Sequence, residues 1–186
     1  GTFGRRFDAS GVPTGAEFPV NSYTPLAQGI PAVAADGSGN FVVTWTSYQQ
    51  DGNGAGVFAQ RFAAGVPQGE FQVNAFTTGD QKGVGVAADP AGDTALVWWS
   101  VGQDGSGAGI VTRRFDGAGL PVLGEQLVNT FTTGTQWFPT LASVGGGEFV
   151  VAWESSGQDG SGYGIVARRL DASGAPIGSE IAVNSF

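Results

Sequence analysis

The chain has 186 residues, 41% of them hydrophobic, with a net charge of −8 and a sequence pI near 4.2. That is enough apolar material for one folded domain. The acidic balance argues against a nucleic-acid or anionic-membrane surface, which needs clustered Lys and Arg, and the absence of Cys and His removes disulfides, thiolate sites and the commonest general base and metal ligand.

The first residue is Gly rather than Met, which reads as a processed chain or a segment of something longer. No apolar run approaches the roughly 20 residues of a membrane helix. The opening stretch, GTFGRRFDASGVPTGAEFPVN, is part of a repeat that recurs as YQQDGNGAGVFAQRFAAGVPQGEFQVN (48–74), GQDGSGAGIVTRRFDGAGLPVLGEQLVN (102–129) and GQDGSGYGIVARRLDASGAPIGSEIAVN (157–184). Each copy ends on Asn21, Asn74, Asn129 or Asn184, and Trp45, Trp98 and Trp153 each lie 24 residues beyond the preceding Asn. Arg6, Arg61, Arg114 and Arg169 are spaced by 55, 53 and 55 residues. The repeat divides the chain into a half unit (1–21) and three full units (22–74, 75–129 and 130–186).

Each full unit reads as four short strands, a to d, parted by Gly, Asp, Asn and Pro turn signals. In the first full unit a is 30–34, b is 41–47, c is 56–62 and d is 70–74. No stretch carries a helical period, so no helix is expected. Strand b alternates Phe41, Val43, Trp45 and Ser47 with Val42, Thr44 and Thr46. Both faces are largely apolar, which predicts cover on both sides. The fold class expected is all-β, with tandem four-stranded antiparallel units stacked like the blades of a β-propeller. Three units and a half are too few for a ring of four-stranded blades. The chain is therefore expected to be part of a larger propeller, to close a ring with other copies, or to stack as an open array.

The c–d segment reads as a hairpin that sets Arg6 opposite Glu17, Arg61 opposite Glu70, Arg114 opposite Glu125 and Arg169 opposite Glu180 as cross-strand pairs. The b–c loop carries Asp51, Asp104 and Asp159 in Gln-Asp-Gly triplets. Asp-Gly is turn chemistry. The sharper reading is a calcium loop, calcium being the one cofactor to consider, although each loop offers a single acid where Ca²⁺ takes six to eight oxygens. Gln28, Gln81 and Gln136 each follow the unit-ending Asn by seven residues and suit a buried glutamine bonding turn backbone.

Trp45, Trp98 and Trp153 share one repeat position and read as core. Trp99 and Trp137 do not. Trp99 stands where sister units carry Thr46 and Glu154, and Trp137 where they carry Gly29 and Lys82. Together with Tyr23 and Tyr48 they are the candidate binding residues, for a protein interface or for a sugar.

The run from Trp153 to Asn184, WESSGQDGSGYGIVARRLDASGAPIGSEIAVN, resembles tandem repeats of large secreted bacterial proteins, often found beside calcium-binding toxin-type repeats or adhesin modules. That resemblance implies an extracellular, cell-surface or periplasmic, propeller-like module that binds or assembles. No nucleophile–base pair can be built from His or Cys, and the acids sit at repeated turn positions. The expectation is therefore a non-catalytic module acting through protein–protein contacts or self-association. A carbohydrate-binding, lectin-like propeller is the alternative.

Overall fold

The computed structural model describes residues 1–184, and every regular element among them is a β-strand. The half unit gives a short hairpin of β1 (Phe3–Gly4) and β2 (Phe18–Pro19). The first full unit gives β3 (Gln28–Ala35), β4 (Phe41–Tyr48), β5 (Ala55–Ala63) and β6 (Val66–Gln72). The second gives β7 (Gln81–Ala88), β8 (Thr94–Val101), β9 (Ala108–Phe115) and β10 (Gln126–Leu127). The third gives β11 (Gln136–Gly145), β12 (Glu148–Ser156), β13 (Tyr163–Leu170) and β14 (Pro176–Ala182). Each full unit is one antiparallel four-stranded sheet in sequence order, so the sequence-derived blades are the observed sheets.

Most of the turns form because an Asp at the tight reversal accepts backbone N–H groups inside its own loop. Asp36 takes those of Ser38 and Asn40, Asp116 those of Ala118 and Leu120, and Asp171 those of Ser173 and Ala175. The c–d hairpin of the first full unit is two residues shorter. It replaces this Asp loop by a tight turn at Ala64 and Gly65, both at positive φ, with Ala63 paired to Val66. Strand faces are thereby preserved.

Blades pack face to face, and β7 lies against both β3 and β11. The Trp face of each blade covers the opposite face of the blade before it. Trp45, Val43 and Phe58 pack with Phe18 and Val20 of the N-terminal hairpin. Trp98 and Leu96 pack with Val42, Ala59 and Val73. Trp153, Phe149 and Val166 pack with Val97, Ile110 and Val128. The three central Trp are fully buried, as is Val42 on the other face of β4, which is the two-sided cover expected of a propeller blade.

The expected Arg–Glu pairs do not form. A register shift between Gln60 and Phe62 sets Glu70 opposite Gln60 rather than Arg61, and a similar shift lies between Ala167 and Arg169. Freed from that pairing, Arg61 donates to the Gly117 carbonyl of the next blade. Arg114 donates to the carbonyls of Ala172 and Gly147 and meets Asp89 and Asp93. Arg169 pairs with Glu148.

Candidate functional site

At one end of the blades the d–a crossovers enter and the b–c loops leave. Each crossover is held by a repeated polar network. Asn74 accepts the Val57 N–H and donates to Asp51, to Gln81 and to the Phe76 carbonyl. Asn129 does the same with Ile110, Asp104, Gln136 and Phe131. Gln28, Gln81 and Gln136 donate to the carbonyls of Pro25, Thr78 and Thr133, as a buried glutamine in a turn should. The carboxylate freed from the Arg pair closes the network. Glu70 accepts Ser22 N–H at 2.6 Å, Tyr23 N–H at 3.3 Å and the Gln50 side chain. Glu125 and Glu180 do this for Ala75/Phe76 with Gln103 and for Thr130/Phe131 with Gln158. Burial pushes the Glu70 carboxyl up, but the hydrogen bonds from Gln50, Ser22 and Tyr23 outweigh it and hold it below its ordinary value of 4.5.

Two groups of sequence candidates belong to this network. Asp51, Asp104 and Asp159 each serve a separate blade, where each accepts a loop N–H, from Asn53, Ser106 and Ser161. Among the described residues no three acidic side chains cluster as a metal cage. Tyr23 stands at the crossover position occupied by Phe76 and Phe131 in the sister units. It lies beside Gln50, Glu70 and Phe71 in a shallow surface depression.

The other three candidates lie together. Trp99 and Trp137, from neighbouring blades, meet edge to face with ring centroids 4.3 Å apart. The Lys82 ammonium lies 5.9 Å from the Trp99 ring and 4.9 Å from that of Tyr48, which belongs to the blade before. Asp80 fixes Lys82 at 2.6 Å. Burial pulls the Lys82 pKa down, but the Asp80 hydrogen bond and charge, with Tyr48, raise it above its ordinary value, so the cation persists at neutral pH. Beyond Trp137 the Phe138 ring follows at 6.4 Å. The result is a continuous aromatic rim that crosses three blades and carries one buttressed cation.

Three residues along this end were not singled out from sequence. Leu26, Ile30 and Phe138 have φ of 58°, 53° and 48°, a region that bulky side chains adopt at a cost of about 1–3 kcal/mol. Ile30 and Phe138 share one repeat position, where the middle blade has Gly83, and Leu26 stands where its sisters carry Gly79 and Gly134. All three side chains are exposed, Phe138 at 68%. A strained backbone that presents an apolar side chain to solvent gains little inside the chain. The sequence signal was present in the replacement of Gly by Leu, Ile or Phe, but the positive φ at Ile30 and Phe138 falls in the bulges after Gly29 and Trp137, which only the pairing reveals, and that at Leu26 falls in the crossover loop before β3.

No protein-family model matches the chain, and no curated protein matches it. Solved structures do share its architecture. An endo-arabinase from Bacteroides thetaiotaomicron superposes with a TM-score of 0.51 at 13% identity over 83% of this chain. A thermostable family-43 glycoside hydrolase superposes with 0.53 at 12% identity over 83%. The chain spans 61% and 54% of those two proteins. A fucose lectin from Kordia zhangzhouensis matches more loosely, with a TM-score of 0.43 at 15% identity. The likeness is one of fold: repeated four-stranded antiparallel units stacked as in a β-propeller.

Proposed function

We propose that the protein is a non-catalytic binding and assembly module of a secreted or cell-surface protein, and that its contact surface is the rim of Tyr48, Lys82, Trp99, Trp137 and Phe138. The observation that carries this reading is the convergence of residues which each occur once at their repeat position, drawn from three blades onto one end. Aromatic anchors beside a cation are the composition of interface hot spots. The strain at Phe138, Ile30 and Leu26 fits the same use, because such strain persists where function requires it.

A peptide-display selection on the wild-type protein, counter-selected on a Trp137→Ala/Phe138→Gly variant, tests it. The reading expects apolar sequences that bind the wild type saturably and the variant at least about tenfold more weakly. Equal enrichment on both proteins overturns it.

A second reading, carbohydrate binding, is favoured by the Tyr48 and Trp99 rings flanking the Lys82–Asp80 pair, with the exposed Phe138 ring further along the same rim, since sugars stack on aromatic faces and bond to flanking polar groups. An endo-arabinase and a glycoside hydrolase use the same architecture. Saturable quenching of tryptophan fluorescence by neutral oligosaccharides, lost in Trp137→Ala, would favour this reading over the first.

A further inference from the structure

The b–c loop of the first full unit carries Asn53 where its sisters carry Ser106 and Ser161, and Gly54 follows it as the one Asn-Gly pair of the sequence. Asn53 is exposed. Its backbone N–H donates to Asp51 at 3.2 Å, while its side-chain amide makes no hydrogen bond among the described residues. The Gly54 carbonyl accepts the Gln49 N–H at 2.6 Å, but the Gly54 N–H meets no acceptor among the described residues. A free backbone nitrogen, with no Cβ to shield it, thus adjoins an unengaged side-chain amide.

The Asp-Gly pairs of the chain lack this combination. The N–H groups of Gly52, Gly105 and Gly160 donate to the carbonyls of Gln49, Gly102 and Gly157, and that of Gly117 to Asp93. Asp36, which precedes Gly37, is tied to the Ser38 and Asn40 N–H groups, and a carboxylate anion has no leaving group to match ammonia.

Gly54 also touches the crossover that enters the second blade. A Cβ there would lie 2.7 Å from the Gly79 carbonyl oxygen and 2.8 Å from Asp80 Oδ1. The Ala55 N–H donates to Asp80 Oδ1 at 3.1 Å, and Asp80 Oδ2 accepts from Lys82 Nζ at 2.6 Å. One carboxylate therefore links the Asn53 loop to the cation of the aromatic rim.

We propose that Asn53–Gly54 is a self-deamidation site whose product releases Lys82 from Asp80, an irreversible change to the rim that needs water as its only co-reactant. The Gly54 nitrogen gives its proton to solvent base and attacks Asn53 Cγ. The new N–Cγ bond closes a five-membered succinimide, the Cγ–Nδ2 bond breaks, and ammonia leaves with a proton from solvent. Water then opens the ring. Attack at Cγ gives aspartate. Attack at the Asn53 backbone carbonyl gives isoaspartate, which adds one methylene to the main chain ahead of Gly54. Either product sets a further carboxylate between Asp51 and Asp80. The lengthened chain has no room against Gly79 and Asp80, so the Ala55 N–H leaves Asp80 and the carboxylate turns from Lys82.

The test is peptide mapping by mass spectrometry of the folded protein aged in mildly alkaline buffer, with Asn53→Ser as the control, since two sister loops carry Ser there. Conversion at Asn53 is expected to run at least about tenfold faster than at Asn40, Asn74 and Asn129, whose following residues carry a Cβ. Equal rates at these sites overturn the proposal. Lys82 is the only lysine of the sequence, so limiting amine acylation, read on its own peptide, reports its release. Losing the opposite charge lowers the ammonium pKa and raises the share of free amine. Acylation of Lys82 in the aged wild type is therefore expected to be at least about threefold faster than in fresh wild type or aged Asn53→Ser. Conversion at Asn53 with unchanged Lys82 acylation overturns the coupling to the rim. Both readouts are taken without a ligand, so failure of either is distinct from failure of the binding reading.

Discussion

At Gly83 a Cβ would lie 2.7 Å from the Trp99 indole nitrogen, and φ is +66°. Gly83 is therefore the one position of its repeat class that cannot carry a side chain, because Trp99 occupies that space. Gly83→Ala is expected to destabilise the protein by about 1–3 kcal/mol through combined strain and overlap, measured by denaturant unfolding, and to displace Trp99 from Trp137. A change smaller than about 0.5 kcal/mol would mean that Trp99 is not held in this place. The arginines show the same dependence on surroundings. Arg114 is 4% exposed and meets two aspartates, so Arg114→Ala should cost about 3–5 kcal/mol by stranding Asp89. Arg169, exposed and paired with Glu148, should cost under about 1 kcal/mol. Similar losses at both sites would contradict the assignment.

The strands and their order were legible because turn signals and the Asn, Trp and Arg spacings recur with little variation. Two-sided burial of the second strand was visible in the alternation around Val42, Thr44 and Thr46. Register was not. The shift between Gln60 and Phe62 moves Glu70 away from Arg61 and onto the crossover that enters the same blade. The carboxylate thus ties one blade to the chain arriving from the blade before it. Because hydrogen bonds to the charged form hold the Glu70 pKa below its ordinary value of 4.5, its contribution is fully present above that value and is lost as pH falls through the lower folded value. The aspartates of the turns at Asp8, Asp36 and Asp171, held low chiefly by the side chains of Ser10, Asn40 and Ser173, act in the same sense. Thermal midpoints measured from about pH 6 down to about pH 3 should fall on acidification. In Glu70→Gln that fall should be shallower, and an unchanged acid limb would mean that Glu70 does not stitch the crossover.

For the whole molecule, the rim was legible only in pieces. Trp99 and Trp137 stood out against their sister positions, and Tyr48 was a candidate beside them. Their meeting depends on how one blade seats on the next, which no local pattern encodes. Lys82 and Phe138 were hidden for the same reason, and Tyr23 and the three loop aspartates proved to share a repeated crossover network. Under the proposed binding function, Leu26, Ile30 and Phe138 serve contact outside the chain rather than stability. Denaturant unfolding of the triple variant Leu26→Gly/Ile30→Gly/Phe138→Gly tests it most directly. Relief of the positive-φ strain outweighs the added chain entropy, so the unfolding free energy should hold or rise by about 1 kcal/mol. A loss of about 2 kcal/mol or more would mean that these side chains pack within the fold, and would contradict a rim built to bind.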